Sequence, residues 1–115
     1  MKNLDNQKIE DIIQTRKQAH SYYFEKSEVY KSFVNMEQAT YKDGALSKKQ
    51  KELIAIGISV VINCESCMEW HIKQALDDGS TEDEINEAIE VGIEMSGGPA
   101  TAAARFAMKV LKYYH

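Results

Sequence analysis

Apolar residues recur at three- and four-residue steps along most of this chain, which is the spacing of amphipathic helices. The pattern predicts a first helix capped by Asp5 and a second over residues 28–40. Whether residues 21–26 continue the first helix stays open. Capping boxes at Ser47 and Thr81 open two further helices. With one proline and six glycines, the chain lacks the turns of an all-β fold. We therefore predict one all-α domain over residues 1–115, with five or six helices.

The most apolar stretch follows Ser47 and has the sequence ELIAIGISVVINCESCMEWH over residues 52–71. Residues 53–62 are apolar on every side of a helix, which predicts a buried central helix. Their β-branched end also fits a strand, but the cap and the length favour a helix. Asn63 is a suitable break, and a new helix runs from about residue 64 to residue 78, closed by Gly79. A last, alanine-rich helix begins at Pro99.

The break at Asn63 brings two cysteines to the start of a helix as the pair Cys64-Glu-Ser-Cys67. Two sulfurs three residues apart can form a disulfide with little backbone movement. The free N–H groups of a helix start also favour a thiolate at Cys64. His71 follows Cys67 by four residues and shares its helix face, so it can accept a thiol proton. The pattern therefore indicates redox chemistry.

Glu52 joins this group through the geometry of a helical hairpin. If the chain reverses near residues 62–63, position 52 lies opposite position 72, level with His71. A carboxylate there can orient the imidazole and hold its proton, which is the role of the third group in a triad. A charged residue within an apolar helix also needs a partner. We therefore predict that Glu52 and His71 are near neighbours.

The pattern Glu52-x11-Cys64-x2-Cys67-x3-His71 and its apolar flanks resemble the carboxymuconolactone decarboxylase-like superfamily, in particular its AhpD-like alkylhydroperoxidase branch. The resemblance covers about residues 30–111. It implies an all-helical homo-oligomer, a trimer or hexamer, that needs no cofactor. It also implies thiol-dependent peroxidase or disulfide-reductase chemistry, with a hydroperoxide substrate and an unidentified thiol or dithiol reductant. Glu52 and His71 would then form the proton relay, Cys67 would attack the peroxide, and Cys64 would resolve the sulfenic acid.

Several alternatives stay open beside this interpretation. The peroxidase branch has histidine where this chain has Ser66, which puts efficient peroxide reduction in question. A zinc site could use the two cysteines, His71 and Glu52. The cysteine pair could also serve packing alone in a structural helical oligomer. A decarboxylase-type activity is the remaining enzymatic alternative, although that branch generally lacks the cysteine pair. The charged residues Lys48, Lys49 and Lys51 are most simply a solvated face at a helix start.

The composition of the chain limits which binding partners and which cellular location we expect. A net charge of −4 argues against nucleic acid, whose phosphates require a basic face. With 43% hydrophobic and 28% charged residues, the chain has an ordinary globular composition. Its longest apolar run, about ten residues, is too short for a bilayer. The polar N-terminus lacks the pattern of a signal peptide, and a close cysteine pair suits a reducing compartment. We therefore expect a cytoplasmic protein that associates with neither nucleic acid nor membrane.

Overall fold

The computed structural model describes residues 3–115, and in this part of the chain every regular element is a helix. Six helices follow one another in the order α1 (Leu4–Lys26), α2 (Glu28–Thr40), α3 (Lys48–Val61), α4 (Glu65–Asp77), α5 (Glu82–Ser96) and α6 (Gly98–Tyr114). The predicted all-α fold is confirmed. Residues 58–62 belong to the end of α3 and its cap rather than to a strand, and α1 runs on through residues 21–26.

Both predicted capping boxes are present, since Ser47 and Thr81 each accept a hydrogen bond from a backbone N–H three residues later. The prediction that Asp5 caps α1 is wrong. Asn3 is the cap, and its side-chain oxygen accepts from the backbone N–H groups of Asp5 and Asn6. Asp5 instead lies in the first turn, where its charge is favourable near the free N–H groups.

The core lies among α3, α4, α5 and α6, with Ile9 of α1 also buried in it, and the helices approach most extensively between α3 and α5. At their crossing, a Cβ atom added to Gly92 would lie 2.6 Å from the carbonyl oxygen of Gly57 and 2.5 Å from a methyl carbon of Val60. Such a separation leaves no space for any side chain at position 92. The backbones of α3 and α5 therefore pack directly on each other. This contact fixes the position of α3 and, with it, the position of Glu52.

Helix α2 and one face of α3 leave apolar surface uncovered. The backbone of α2 approaches α1 alone among the described helices, and no residue of α2 is buried. The expectation that α3 is buried on all sides is wrong, because Ile54 is 51% exposed and Ile58 is 54% exposed. Only the face of α3 that carries Ile56 and Val60 meets the other helices. Among residues 3–115, no helix combines the length and apolar character needed to cross a membrane.

Candidate redox site at the start of α4

The cysteine pair occupies the tight connection between α3 and α4. Asn63 takes a left-handed conformation with φ of 52°, which asparagine tolerates better than most residues, and this reverses the chain. Cys64 is the N-cap of α4, and its sulfur lies 3.1 Å from the backbone N–H of Cys67. The two sulfurs are joined in a disulfide across Cα atoms that are 5.2 Å apart. The structure therefore represents the oxidised state of the pair.

Glu52 and His71 meet across the hairpin. The Nδ1 atom of His71 lies 2.6 Å from Oε1 of Glu52, which is only 2% exposed. The geometric prediction from the hairpin is thus confirmed, whereas the catalytic roles of these residues stay predictions. Because Nδ1 faces the carboxylate, Nε2 is the nitrogen left to exchange a proton with a thiol or substrate. The ring of Tyr41 lies beside the imidazole, with the ring centroids 5.3 Å apart.

Lys48 contacts the second oxygen of Glu52. Its Nζ atom lies 3.1 Å from Oε2 of Glu52, 2.7 Å from Asp78 and 3.3 Å from Gln74. Burial lowers the pKa of Lys48, but the hydrogen bonds to Asp78 and Glu52 outweigh it, so the pKa is raised above its ordinary value and the ammonium stays charged. The expectation of a solvated lysine face is therefore wrong for Lys48.

A second charged cluster holds the other side of the cysteine turn. The Nη2 atom of Arg16 donates to the carbonyl and hydroxyl oxygens of Ser66, at 3.1 and 3.2 Å, and lies 2.5 Å from a carboxylate oxygen of Glu69. The hydroxyl of Tyr114 donates to the other oxygen of Glu69. Burial, followed by this hydrogen bond, raises the pKa of Tyr114. Arg16 therefore connects α1 to Ser66, one of the two residues between the cysteines.

Sequence reasoning missed Arg16, Glu69 and Tyr114. The sequence did contain one signal of this cluster, because Glu69 is a charged residue between the apolar residues Met68 and Ile72 of α4. In the structure Glu69 is buried on the core face of that helix. A buried carboxylate requires a cation or several donors. That requirement predicts a partner but does not identify it, since Arg16 and Tyr114 lie far away along the chain.

Two open cavities flank the site. A cleft of about 480 Å³ borders Glu52, and its other walls include Tyr41, Lys48 and Trp70. A groove of about 680 Å³ runs along α1 and reaches Ser66. Within residues 3–115, no group of three or more histidine, cysteine or acidic side chains is arranged to hold a metal ion. In this oxidised form both sulfurs that a zinc site would use are bonded to each other.

A family model, a related sequence and a solved structure are all similar to this chain. The model of the carboxymuconolactone decarboxylase family matches residues 27–110. Uncharacterized protein 4 in the cox locus of Paracoccus denitrificans is 41% identical over 80 residues, which span 70% of this chain and 72% of that protein. A carboxymuconolactone decarboxylase family protein from Legionella pneumophila has a similar structure, with a TM-score of 0.82 and 30% identity over 94% of this chain and 98% of that one.

A second solved structure is also similar over most of the chain. It is a family member from Thermotoga maritima, for which involvement in an antioxidative response has been suggested. It aligns with a TM-score of 0.82 and 25% identity, over 89% of this chain and 87% of that one. These similarities cover the helices that carry the cysteine pair.

Proposed function

Because the chain belongs to the carboxymuconolactone decarboxylase family, we propose that it is an AhpD-like thiol oxidoreductase that reduces a hydroperoxide or a disulfide. The observation that carries this proposal is the Cys64–Cys67 disulfide one helical turn from His71, which contacts the buried Glu52. A histidine that is hydrogen-bonded to a buried carboxylate and lies beside a cysteine pair is an arrangement that moves protons during thiol chemistry. The suggested antioxidative role of the Thermotoga relative supports the same proposed function.

The proposed reaction begins from the dithiol form. His71 takes a thiol proton through Nε2, and Glu52 stabilises the resulting imidazolium. The thiolate attacks the outer oxygen of the hydroperoxide, the O–O bond breaks, and the proton held by His71 passes to the departing alkoxide. This step gives an alcohol and a cysteine sulfenic acid. The second cysteine then displaces water from the sulfenic acid and forms the disulfide.

The order of attack follows the resemblance to the AhpD-like branch, which assigns Cys67 as the attacking sulfur and Cys64 as the resolving sulfur. His71 lies one turn after Cys67 on the same helix face. An external thiol or dithiol closes the cycle by exchange and leaves as its own disulfide. A cytoplasmic location suits this cycle, because reductants there maintain thiols.

Thiol counting tests the proposal. The protein is reduced, freed of reductant, and treated with one equivalent of an organic hydroperoxide. Both of its cysteine thiols should disappear, the mass should fall by two hydrogens, and dithiothreitol should restore both thiols. The Cys64→Ser variant is the matched control, and its remaining cysteine should stop at the sulfenic acid. Thiols that survive peroxide but are lost to a small disulfide would assign the disulfide-reductase activity, and thiols that survive both reagents would contradict the proposal.

Assembly into a homo-oligomer, a trimer or hexamer, is part of the same proposal. The supporting observation is exposed apolar surface on two helices, including Phe33 and Met36 on α2 and Ile54 and Ile58 on α3. Monomeric proteins seldom leave so many large apolar side chains exposed to water. Sedimentation equilibrium should give a mass of three or six chains, and a monomeric mass would contradict this part of the proposal.

A further inference from the structure

Lys48 occupies a position where a lysine is electrostatically unfavourable. It is the first residue of α3, and the free N–H groups at a helix start repel a cation. Its side chain extends along the helix to Glu52, four residues later, and across to Asp78 at the end of α4. Lys49, the next residue, points elsewhere and pairs with Glu84 on α5 at 3.1 Å. The two lysines therefore carry the same charge at the same helix start but face different partners.

We propose that Lys48 is a positioning residue of the redox site, which holds Glu52 as a carboxylate aimed at His71 and thereby sets the pH range in which His71 accepts the thiol proton. The proposal rests on the proposed function for its chemical meaning. Lys48 itself touches neither the cysteines nor a reacting atom, and it acts through Glu52.

The contacts of Glu52 carry the argument. Its side chain is almost fully buried, and its two oxygens are divided between His71 at 2.6 Å and Lys48 at 3.1 Å. A carboxylate buried with a single hydrogen-bond partner is costly, so without Lys48 the Glu52–His71 pair would hold its shared proton more tightly. Asp78 and Gln74 in turn hold the ammonium group in place. Both oxygens of Glu52 are thus fixed, and one of them is directed at the imidazole.

The charge of Lys48 acts on His71 as well. A cation near the imidazole disfavours its protonated form, so removing that cation lets the Glu52–His71 pair keep a proton to higher pH. Other titratable groups also face this cleft and act electrostatically on His71, some as anions and some as cations. They lie on α2, on the loop after it and at the end of α4. They are Glu37, Tyr41, Lys42, Asp43 and Asp78. Asp78 loses its ion-pair partner when Lys48 is changed, whereas the side chains of the other four groups make no hydrogen bond or ion pair with the Lys48 side chain.

The test compares Lys48→Met with Lys49→Met in the full chain. The rate of alkylation of the reduced protein by iodoacetamide is measured against pH. Lys48→Met should move the midpoint of the profile upward by about 0.5–1 pH unit, which slows alkylation below the midpoint about three- to tenfold. Lys49→Met should leave the midpoint in place, and Lys48→Arg should restore most of the wild-type profile because it keeps the charge. Equal shifts in the two methionine variants would overturn the proposal.

Two further measurements test the role of Lys48 even if the protein reduces no peroxide or if Lys48→Met fails to fold. The ring signals of His71, followed by NMR in the disulfide form, should titrate at higher pH in Lys48→Met than in the wild type, even if the protein reduces no peroxide. That result would separate failure of the proposed function from failure of this inference. Asp78→Asn gives a second variant if Lys48→Met fails to fold. It removes a negative charge and should shift the same titration to lower pH, and an unchanged titration would refute the role of this cluster.

Discussion

Arg16 and Lys8 both join the N-terminal helix to the cysteine turn, and Arg16→Met tests the more buried of these two connections. The guanidinium group neutralises the buried carboxylate of Glu69 and donates to the carbonyl oxygen of Ser66 between the two cysteines. Methionine keeps much of the length and apolar volume of arginine but removes the charge and the donors. The variant therefore leaves Glu69 buried, with the hydroxyl of Tyr114 as its remaining side-chain donor.

The expected cost follows from the burial of Glu69, whose side chain is 2% exposed, whereas that of Arg16 is 25% exposed. Removing one partner of a buried ion pair typically costs about 3–5 kcal/mol, because a charge is left without compensation. Lys8→Met provides a matched control on the same helix. Lys8 also bonds to the start of α4, through Glu65, but this pair is 54% and 40% exposed. Its loss should cost about 1 kcal/mol or less.

Urea unfolding of the oxidised proteins, followed by circular dichroism, measures both costs. The double variant Arg16→Met/Glu69→Met should recover at least half of the loss caused by Arg16→Met, because it removes the stranded charge together with its partner. The alkylation rate of the reduced Arg16→Met protein should also change, since the backbone between the cysteines loses its anchor. If Arg16→Met and Lys8→Met are equally stable, the cluster contributes no more than a surface ion pair and the reasoning fails.

Two other predictions concern packing and alkaline pH. Gly92→Ala should destabilise the protein by about 2–3 kcal/mol in the same urea assay, because its methyl group would overlap Gly57 and Val60, while Gly98→Ala, which meets no neighbour, should be tolerated. Burial and then Glu69 raise the pKa of Tyr114 above its ordinary value of 10.0, so the native state keeps a proton that the unfolded chain releases. Stability should therefore be intact below about pH 10 and fall above it, with a shallower fall in Tyr114→Phe.

The elements and the central pair of the site could be predicted because their signals are local. Each capping box lies within four residues, and the break at Asn63 fixes the hairpin between α3 and α4. Once the hairpin is assumed, helix geometry alone places Glu52 level with His71. The structure confirms this contact at 2.6 Å. Short-range patterns thus determined one long-range contact, because a single tight turn connects the two helices.

The other contacts of the site depend on tertiary packing that no short pattern encodes. Arg16 is 50 residues from Ser66, and Tyr114 is 45 residues from Glu69. Their meeting requires the orientations of α1 and α6 relative to α4. The exposed face of α3 could not be anticipated either, since an apolar helix surface indicates burial without indicating whether the covering partner is the same chain or another.

The two charged clusters hold α4 from two sides, and this arrangement has a consequence for the proposed redox cycle. Glu52 and Lys48 hold the His71 side of α4 from α3, whereas Arg16 holds the Ser66 side from α1. We therefore expect the disulfide to open by rotation of the cysteine side chains, while Arg16 keeps the backbone at Ser66 anchored. Arg16 lies outside residues 27–110, the part matched by the family model. The Glu52–His71 contact lies within the part that the family model matches, while Arg16 lies on α1, so exchange of that helix between relatives should alter disulfide reactivity while leaving the Glu52–His71 contact intact.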